Sequence, residues 1–316
     1  MDFNYYEISL QSIYFIMNLT TAIDTKISFR TVFSDYKQLA KIGLSLSVVF
    51  SSVAGYLLAV DTINYQTLFL LSIGGFLMVA ASNAFNQVIE KESDSLMKRT
   101  MNRPIPTGRM SKTTALIFAI ISTIIGLGIL YGINPKSALF GAISIFLYTC
   151  AYTPLKPVTP LAVFVGAIPG AIPFMLGWVA ATNQFGIEAG FLFMIQFFWQ
   201  FPHFWSIGWL QFEEYKKAGF IMLPMDRKDH SATKQIIFYT VIMILVSISP
   251  VLKLTGAFYI HPITAIIIAL MGLSMLYYGV LLHKKQTNIE ARKLMLSSVL
   301  YITMIQIIYV IDKFLH

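Results

Sequence analysis

Asn86, Glu90 and Asp94 recur at every fourth position near the end of a long apolar run. On a helix of 3.6 residues per turn this spacing keeps the three within about 80° of one face. Two carboxylates and an amide oxygen then point the same way. Such a set of hard oxygen donors suits Mg²⁺, which takes few protein ligands and leaves its other positions to water and phosphate. Lys98, Arg99 and Arg103 follow directly, and cations of this kind, arginine above all, hold phosphate oxygens. An acidic cluster followed by a basic one is what a metal-bridged diphosphate requires. From spacing alone, residues that only cap a helix end and fix topology account for the pattern equally well.

A second cluster, Glu213, Glu214 and Tyr215 followed by Lys216 and Lys217, echoes the first; alone it is indistinguishable from a surface charge run. His203 is the one residue titrating near neutral pH that lies within the apolar runs and clear of their ends, and an ionisable side chain at membrane depth is by default a functional candidate. It precedes Glu214 by about 16 Å along a helix and about 20° in rotation, an arrangement that places it beneath the acidic cluster facing the same cavity. It could ligate a metal such as heme iron, position a substrate or accept a proton; a buried histidine bonded to a neighbouring helix is the plainer alternative. The aromatics around it, from Phe191 to Trp209, could line an isoprenoid tunnel or stabilise a cation by their ring faces, although aromatic stripes usually serve packing.

The elements that must hold these residues are apolar. Of 316 residues 56% are hydrophobic and 12% charged, with a mean hydropathy of +0.69, which leaves too little polar surface for a water-soluble globule of this size. A span takes roughly 20 apolar residues, and nine are expected, at 42–60, 66–88, 113–133, 137–152, 160–180, 189–210, 235–252, 260–282 and 294–311. The net charge of +8 does not indicate nucleic acid. With a cytoplasmic N-terminus, Lys136, Lys253 and Lys313 alone among the 23 Lys and Arg residues fall outside the inner segments, which is the positive-inside asymmetry. The two longest inner connections are those that begin acidic and turn basic, and long loops commonly house function. Residues 1–36 read as a cytoplasmic arm and 37–316 as one transmembrane domain. The first 20 residues carry no basic residue and suggest neither secretory signal nor transit peptide; Met17 is an alternative start to Met1. The single cysteine, Cys150, excludes a disulfide framework or a cysteine metal cage and is expected to serve packing.

The run NQVIEKESDSLMKRTMNRPIPTG from Asn86 to Gly108 resembles the signature of the heme O synthase family within the UbiA superfamily of intramembrane prenyltransferases. Tyr152–Pro160 (YTPLKPVTP), Gly166–Trp178 (GAIPGAIPFMLGW), Pro202–Trp205 (PHFW) and Tyr215–Pro224 (YKKAGFIMLP) extend the resemblance over about residues 35–310. It implies an all-α, nine-helix bundle around a central cavity, in which two acid-rich motifs hold Mg²⁺, two ions by expectation, and farnesyl diphosphate. The allylic cation formed from that diphosphate would be attacked by a vinyl group of heme b before water adds. Asn86, Glu90, Asp94 and Glu214 would chelate metal and form the catalytic set. Lys98, Arg99, Arg103 and Lys156 would neutralise the diphosphate, and Lys41, His203 and Tyr215 would contact substrate. The setting implied is a bacterial inner membrane with the site near its cytoplasmic side, and a downstream heme A synthase as partner. The chain departs from the family pattern at Glu90 and Glu214, where Asp is common, at Gln211, where a basic residue is common, and at Ile42-Gly43, where Pro-Arg often follows the lysine. Transfer to another aromatic acceptor keeps the chemistry. A transporter would share the nine spans but would place charge at mid-bilayer and show broken helices in corresponding halves, and apart from His203 this chain keeps its middle neutral.

Overall fold

Where water is excluded, a chain can satisfy its backbone polar groups within its own helices, and the apolar runs are helical throughout. The computed structural model describes residues 29–316, so the choice between Met1 and Met17 lies outside the described residues. An amphipathic helix, α1 (Phe29–Ala40), leads into α2 (Ile42–Ala59), α3 (Tyr65–Ile89), the short α4 (Lys91–Leu96), α5 (Lys112–Ile133) and α6 (Pro135–Phe146). A π-helical turn, Leu147–Tyr152, carries the chain from α6 into Thr153–Leu155, and α7 (Ala162–Thr182), α8 (Ile187–Leu210), the short α9 (Phe212–Lys217), α10 (His230–Ile248), α11 (Pro262–Lys285) and α12 (Asn288–Leu315) follow. The 36/37 division between arm and membrane domain falls inside α1, whose Leu39 is wholly buried and whose Asp35 is also enclosed.

Short polar side chains start many of these helices by accepting otherwise unpaired backbone N–H groups. Asn64 accepts from Thr67, Ser111 from Thr114, Asn134 from Ser137, Asp229 from Ser231 and Ala232, and Thr287 from Glu290. Among the described residues eight helices are long and apolar enough to cross a membrane, including the run Pro135–Leu155 across the π-turn. The helix α8 is 24 residues long but carries Glu188, Gln196, Gln200 and His203, and it is not among the eight. The eight and α8 overlap the nine apolar runs of the sequence, eight of them with the length and apolarity of a span.

Successive long helices are neighbours around a ring that closes where α12 meets α2. Contacts of α2 with α7 and of α8 with α12 cross that ring. Between apolar helices in lipid, close backbone approach and polar links replace the hydrophobic drive. At the α2–α7 crossing a methyl group on Gly55 would collide with the Phe174 carbonyl, and one on Gly177 with that of Ser52. The polar link is a buried chain in which Gln306 of α12 bonds Ser51 of α2 and Gln196 of α8, each at 3.2 Å. Cys150, expected to be packed, is exposed within the π-turn.

Gly177→Val should force α2 and α7 apart at an overpacking cost of about 1–3 kcal/mol. The melting temperature of the detergent-solubilised protein is expected to fall by several degrees, and an unchanged value would show that the crossing tolerates separation.

Candidate functional site

The helix α3 ends at Glu90, whose φ of −91° and ψ of 14° break the regular spiral before α4 begins. The expected face survives the break, because Glu90 N–H donates to Asn86 O at 2.9 Å and Asp94 N–H to Glu90 O at 2.7 Å. Asn86, Glu90 and Asp94 are all buried, Asp94 to 1% exposure. The loop after them folds back as a series of turns pinned by Met97 and Ile105 in the core. Thr100 hydroxyl donates to Asp94 O at 2.8 Å, and the turn from Thr100 N–H and O through Arg103 N–H aims the guanidinium inward. Arg103 Nη1 meets Asp94 Oδ2 at 2.6 Å.

The second arm of the site comes from the π-turn. π-helical turns recur at functional sites because the added residue redirects the side chains that follow. Here they are Tyr148, Tyr152, Thr153 and Lys156. A methyl group at Gly166 of α7 would strike the Tyr152 ring, so glycine there lets the ring lie flat against the helix. Thr153 Oγ1 accepts from Asn86 Nδ2 at 3.4 Å. Lys156, itself buried, places Nζ 2.6 Å from Glu90 Oε1, with the Tyr152 and Phe220 rings 4.5 and 5.6 Å away.

The third arm is the segment after α8. Glu214 Oε2 accepts the backbone N–H of Lys98 at 2.6 Å, and its other oxygen meets Lys217 Nζ at 3.0 Å. Ile221 N–H donates to Lys156 O at 2.8 Å, and Phe220 N–H to Tyr215 O at 2.8 Å. The first loop and the Glu214 segment, joined by a contact between residues 116 apart in sequence, therefore meet, although the carboxylate of Glu214 reaches the loop through its backbone and not the Asp94 side chain. The side chains of Lys98 and Arg99 are exposed at its rim. Lys41 completes the ring of cations from the left-handed junction between α1 and α2, at φ 46°. That junction is strapped to α3 by Gln87 Nε2 to Leu39 O at 2.8 Å and Asn83 Nδ2 to Ala40 O at 3.4 Å, and a shallow surface groove lined by α1 and the start of α2, but by none of Asn86, Glu90, Asp94 or Lys156, runs beside Lys41.

Burial pushes the Asp94 carboxyl above its ordinary value, and the Arg103 charge offsets part of that rise. Burial and then the charges of Arg103 and Lys156 lower Lys41 to about 7. Burial alone would depress Lys156 as well, but Glu90 reverses it and the net direction is upward. The Lys98 N–H and then Lys217 hold Glu214 below the usual carboxylate range. Asp94 Oδ1 is buried and has no hydrogen-bond partner. An unpaired carboxylate oxygen beside a second carboxylate and an amide oxygen is the feature a hard divalent cation satisfies, so the residues present fit Mg²⁺.

His203 is tied to α12, and no hydrogen bond or ion pair joins it to the acidic cluster. Its Nδ1 is 2.8 Å from Ser298 Oγ, and that hydroxyl already donates to Met295 O. The proton of the imidazole thus belongs on Nδ1, leaving the Nε2 lone pair free. The ring stacks on Trp199 at 4.6 Å, and Trp199 Nε1 donates to Ser298 O. Most of the surrounding aromatics serve packing: Phe201, Trp205 and Trp209 are buried, with Phe201 4.3 Å from Tyr239 of α10. The sequence pattern missed Thr153 and Phe220 as site residues. Neither is chemically conspicuous in the chain, and only the segments packed against them give them a role.

The UbiA prenyltransferase family model matches residues 48–304. The chain is 59% identical over 299 residues to a protoheme IX farnesyltransferase from Flavobacterium psychrophilum, covering 94% of this chain and 100% of the relative. It is 60% identical over 286 residues to the protein of the same name from Christiangramia forsetii, covering 90% and 95%. Among solved structures, the fold is similar to that of a digeranylgeranylglyceryl phosphate synthase, with a TM-score of 0.73 at 20% identity over 89% of this chain and 98% of the other. It is also similar to a UbiA homolog from Archaeoglobus fulgidus bound to GPP and Mg²⁺, with a TM-score of 0.61 at 15% identity over 87% and 99%.

Lys156→Met should strand the Glu90 charge in a buried setting and destabilise the protein by about 3–5 kcal/mol. Adding Glu90→Gln should restore most of that loss. Unfolding in detergent checks the cycle, and equal stability of the two single variants and the wild type would dissolve the pair as a structural element.

Proposed function

From the premise that this chain belongs to the UbiA prenyltransferase family, in its protoheme IX farnesyltransferase branch, we propose that it transfers a farnesyl group from farnesyl diphosphate to a vinyl group of heme b, forming heme O. The observation that carries the reading is the buried, unpaired Asp94 oxygen on a carboxylate face where Arg103 holds the other Asp94 oxygen, Lys156 holds Glu90 and the Lys41 charge lies close enough to act on both. A buried carboxylate face surrounded by more cations than carboxylates is suited to a cation and a polyanion that arrive together.

Mg²⁺, held by Asn86, Glu90 and Asp94 with Glu214 as the further ligand and two ions expected, would supply Lewis-acid neutralisation of the diphosphate. The remaining work falls to the chain. Glu90 and Asp94 now occupy Lys156 and Arg103. With a cation bound to those carboxylates, Lys156 and Arg103 would be free to hold the diphosphate oxygens, and no charge would be left buried and unpaired. Lys41, lowered to about 7 by burial and by its cationic neighbours, would be more fully protonated beside an entering anion. Lys98 and Arg99 at the rim capture the diphosphate first, and Tyr215 borders its path. As the C1–O bond of the farnesyl group breaks, its electron pair leaves on the diphosphate, where positioned cations stabilise the growing charge. The vinyl π electrons bond to C1, water adds to the cation left beside the macrocycle, and loss of its proton gives the hydroxyethylfarnesyl group. His203 offers Nε2 to the heme, as iron ligand or as a hydrogen-bond acceptor. A bacterial inner membrane, a site on its cytoplasmic side and a heme A synthase that takes the product complete the reading.

Membranes containing the protein, incubated with heme b, farnesyl diphosphate and Mg²⁺, should yield a more hydrophobic heme heavier by a farnesyl group plus a hydroxyl group, with none formed in the presence of a chelator. Absence of that product beside a working control would overturn the acceptor assignment. Asp94→Ala should lower turnover by at least about 100-fold, and full activity would remove the carboxylate face from the mechanism. His203→Ala should weaken heme binding while farnesyl diphosphate binding persists; an unchanged heme spectrum would return His203 to its packing role.

A further inference from the structure

The other end of the bundle carries a second group of potential ligands. His261 precedes α11 and Asp312 and His316 close the end of α12. One ligand atom from each lies within 4.8 Å of the others. His261 Nδ1 and Asp312 Oδ2 are 3.5 Å apart, close to the edge of about 3.3 Å in a tetrahedron with metal–ligand bonds of about 2.0–2.1 Å. The His261 and His316 rings lie with centroids 3.7 Å apart.

Two further observations single this group out. Asp312 is buried at 5% exposure, and among the described residues no lysine or arginine forms an ion pair with it. Its neighbour Lys313 turns away to Asp61 at 3.2 Å and to the carbonyls of Leu58 and Val60. Moreover, His261 Nδ1 is closed off from solvent without a hydrogen-bond partner. The carboxylate is also held as metal ligands are, by outer hydrogen bonds that fix its plane: Oδ2 accepts the His261 backbone N–H at 3.1 Å and Oδ1 the Thr264 hydroxyl at 2.5 Å. A cavity of about 470 Å³, walled by Trp178, Glu188 and Tyr259, opens beside the three residues and leaves room for an exogenous ligand. Along the 18 residues of α2, this end lies about 27 Å from Lys41, too far for the two groups to share an ion.

We propose that His261, Asp312 and His316 bind one divalent transition-metal ion of the Zn²⁺ class, leaving a fourth position open to the cavity. Two imidazoles with one carboxylate favour such an ion over Mg²⁺, which prefers an all-oxygen shell. The ion would fasten the start of α11 to the end of α12, two segments otherwise joined there by the Asp312 hydrogen bonds.

The full-length protein in detergent, stripped with chelator and re-equilibrated with Zn²⁺, tests this by metal content after desalting. His261→Ala and His316→Ala should each bind one equivalent fewer than wild type, whereas Asp94→Asn should retain that equivalent. With Co²⁺ as probe, wild type should give the intense visible absorption of a tetrahedral ion, lost in both histidine variants. Melting curves without metal establish that the variants are folded, and a Zn²⁺-dependent rise in melting temperature should be confined to chains with all three ligands. Equal Zn²⁺ content in wild type and both histidine variants, or a Co²⁺ spectrum that survives either substitution, would overturn the site.

Discussion

A buried ion pair, Lys156 with Glu90 at 2.6 Å, is the constraint on which the arrangement of the site depends. A charge removed from water is costly unless it is paired and further hydrogen-bonded. Neither partner can leave without another ion to take its place, since each would abandon the other in a region nearly closed to solvent. The pair joins positions 66 residues apart and fixes the π-turn against the end of α3. Once Lys156 is placed, its backbone carbonyl receives Ile221 N–H, which draws in the segment that carries Glu214. The Glu214 carboxylate then receives Lys98 N–H and returns the chain to the loop beside Asp94. Three segments distant in sequence thus close on one another through three polar contacts, and Arg103 with Asp94 braces the first of them from within.

The bundle beneath supplies the rigidity this closure needs. Where a hydrophobic drive between helices is lacking, contact is gained by bringing backbones together. Gly55 and Gly177 allow this between α2 and α7, and Gly166 does the same for Tyr152. The polar links of Gln306 to α2 and α8 resist sliding within the ring. Two irregularities aim the functional side chains. The π-turn reorients Lys156 and Thr153, and the left-handed residue Lys41 bends α1 away from α2 while presenting its own ammonium. Both deviations cost backbone energy, and both sit where charged groups must converge rather than in the body of the bundle.

The chain also separates its charged groups by depth. Cations and carboxylates gather at the end formed by Lys41, Glu90 and Lys156, while the imidazoles of His261 and His316 gather with Asp312 at the other. Between them lie amides, hydroxyls and His203. This distribution suits a protein whose chemistry is done at one boundary of an apolar layer, since a charge at mid-layer has no solvent to share its cost.

The amino-acid order by itself determined the helical elements and the stacking of Asn86, Glu90 and Asp94, because both follow from periodicity: apolar runs of span length must satisfy their own backbone, and a four-residue interval keeps side chains on one face even across the break at Glu90. The kinship of the long acidic-then-basic segments was legible for the same local reason, and so was the family, through the runs around Asn86, Tyr152, His203 and Tyr215. Tertiary structure alone decided which cation meets which carboxylate, that Glu214 grips the Lys98 backbone, that His203 is held by Ser298, that Cys150 is exposed, and that His261 meets Asp312 and His316. Each of these depends on the rotation of one helix against another. A single residue added in the π-turn changes that rotation, and no residue's type or local spacing records it.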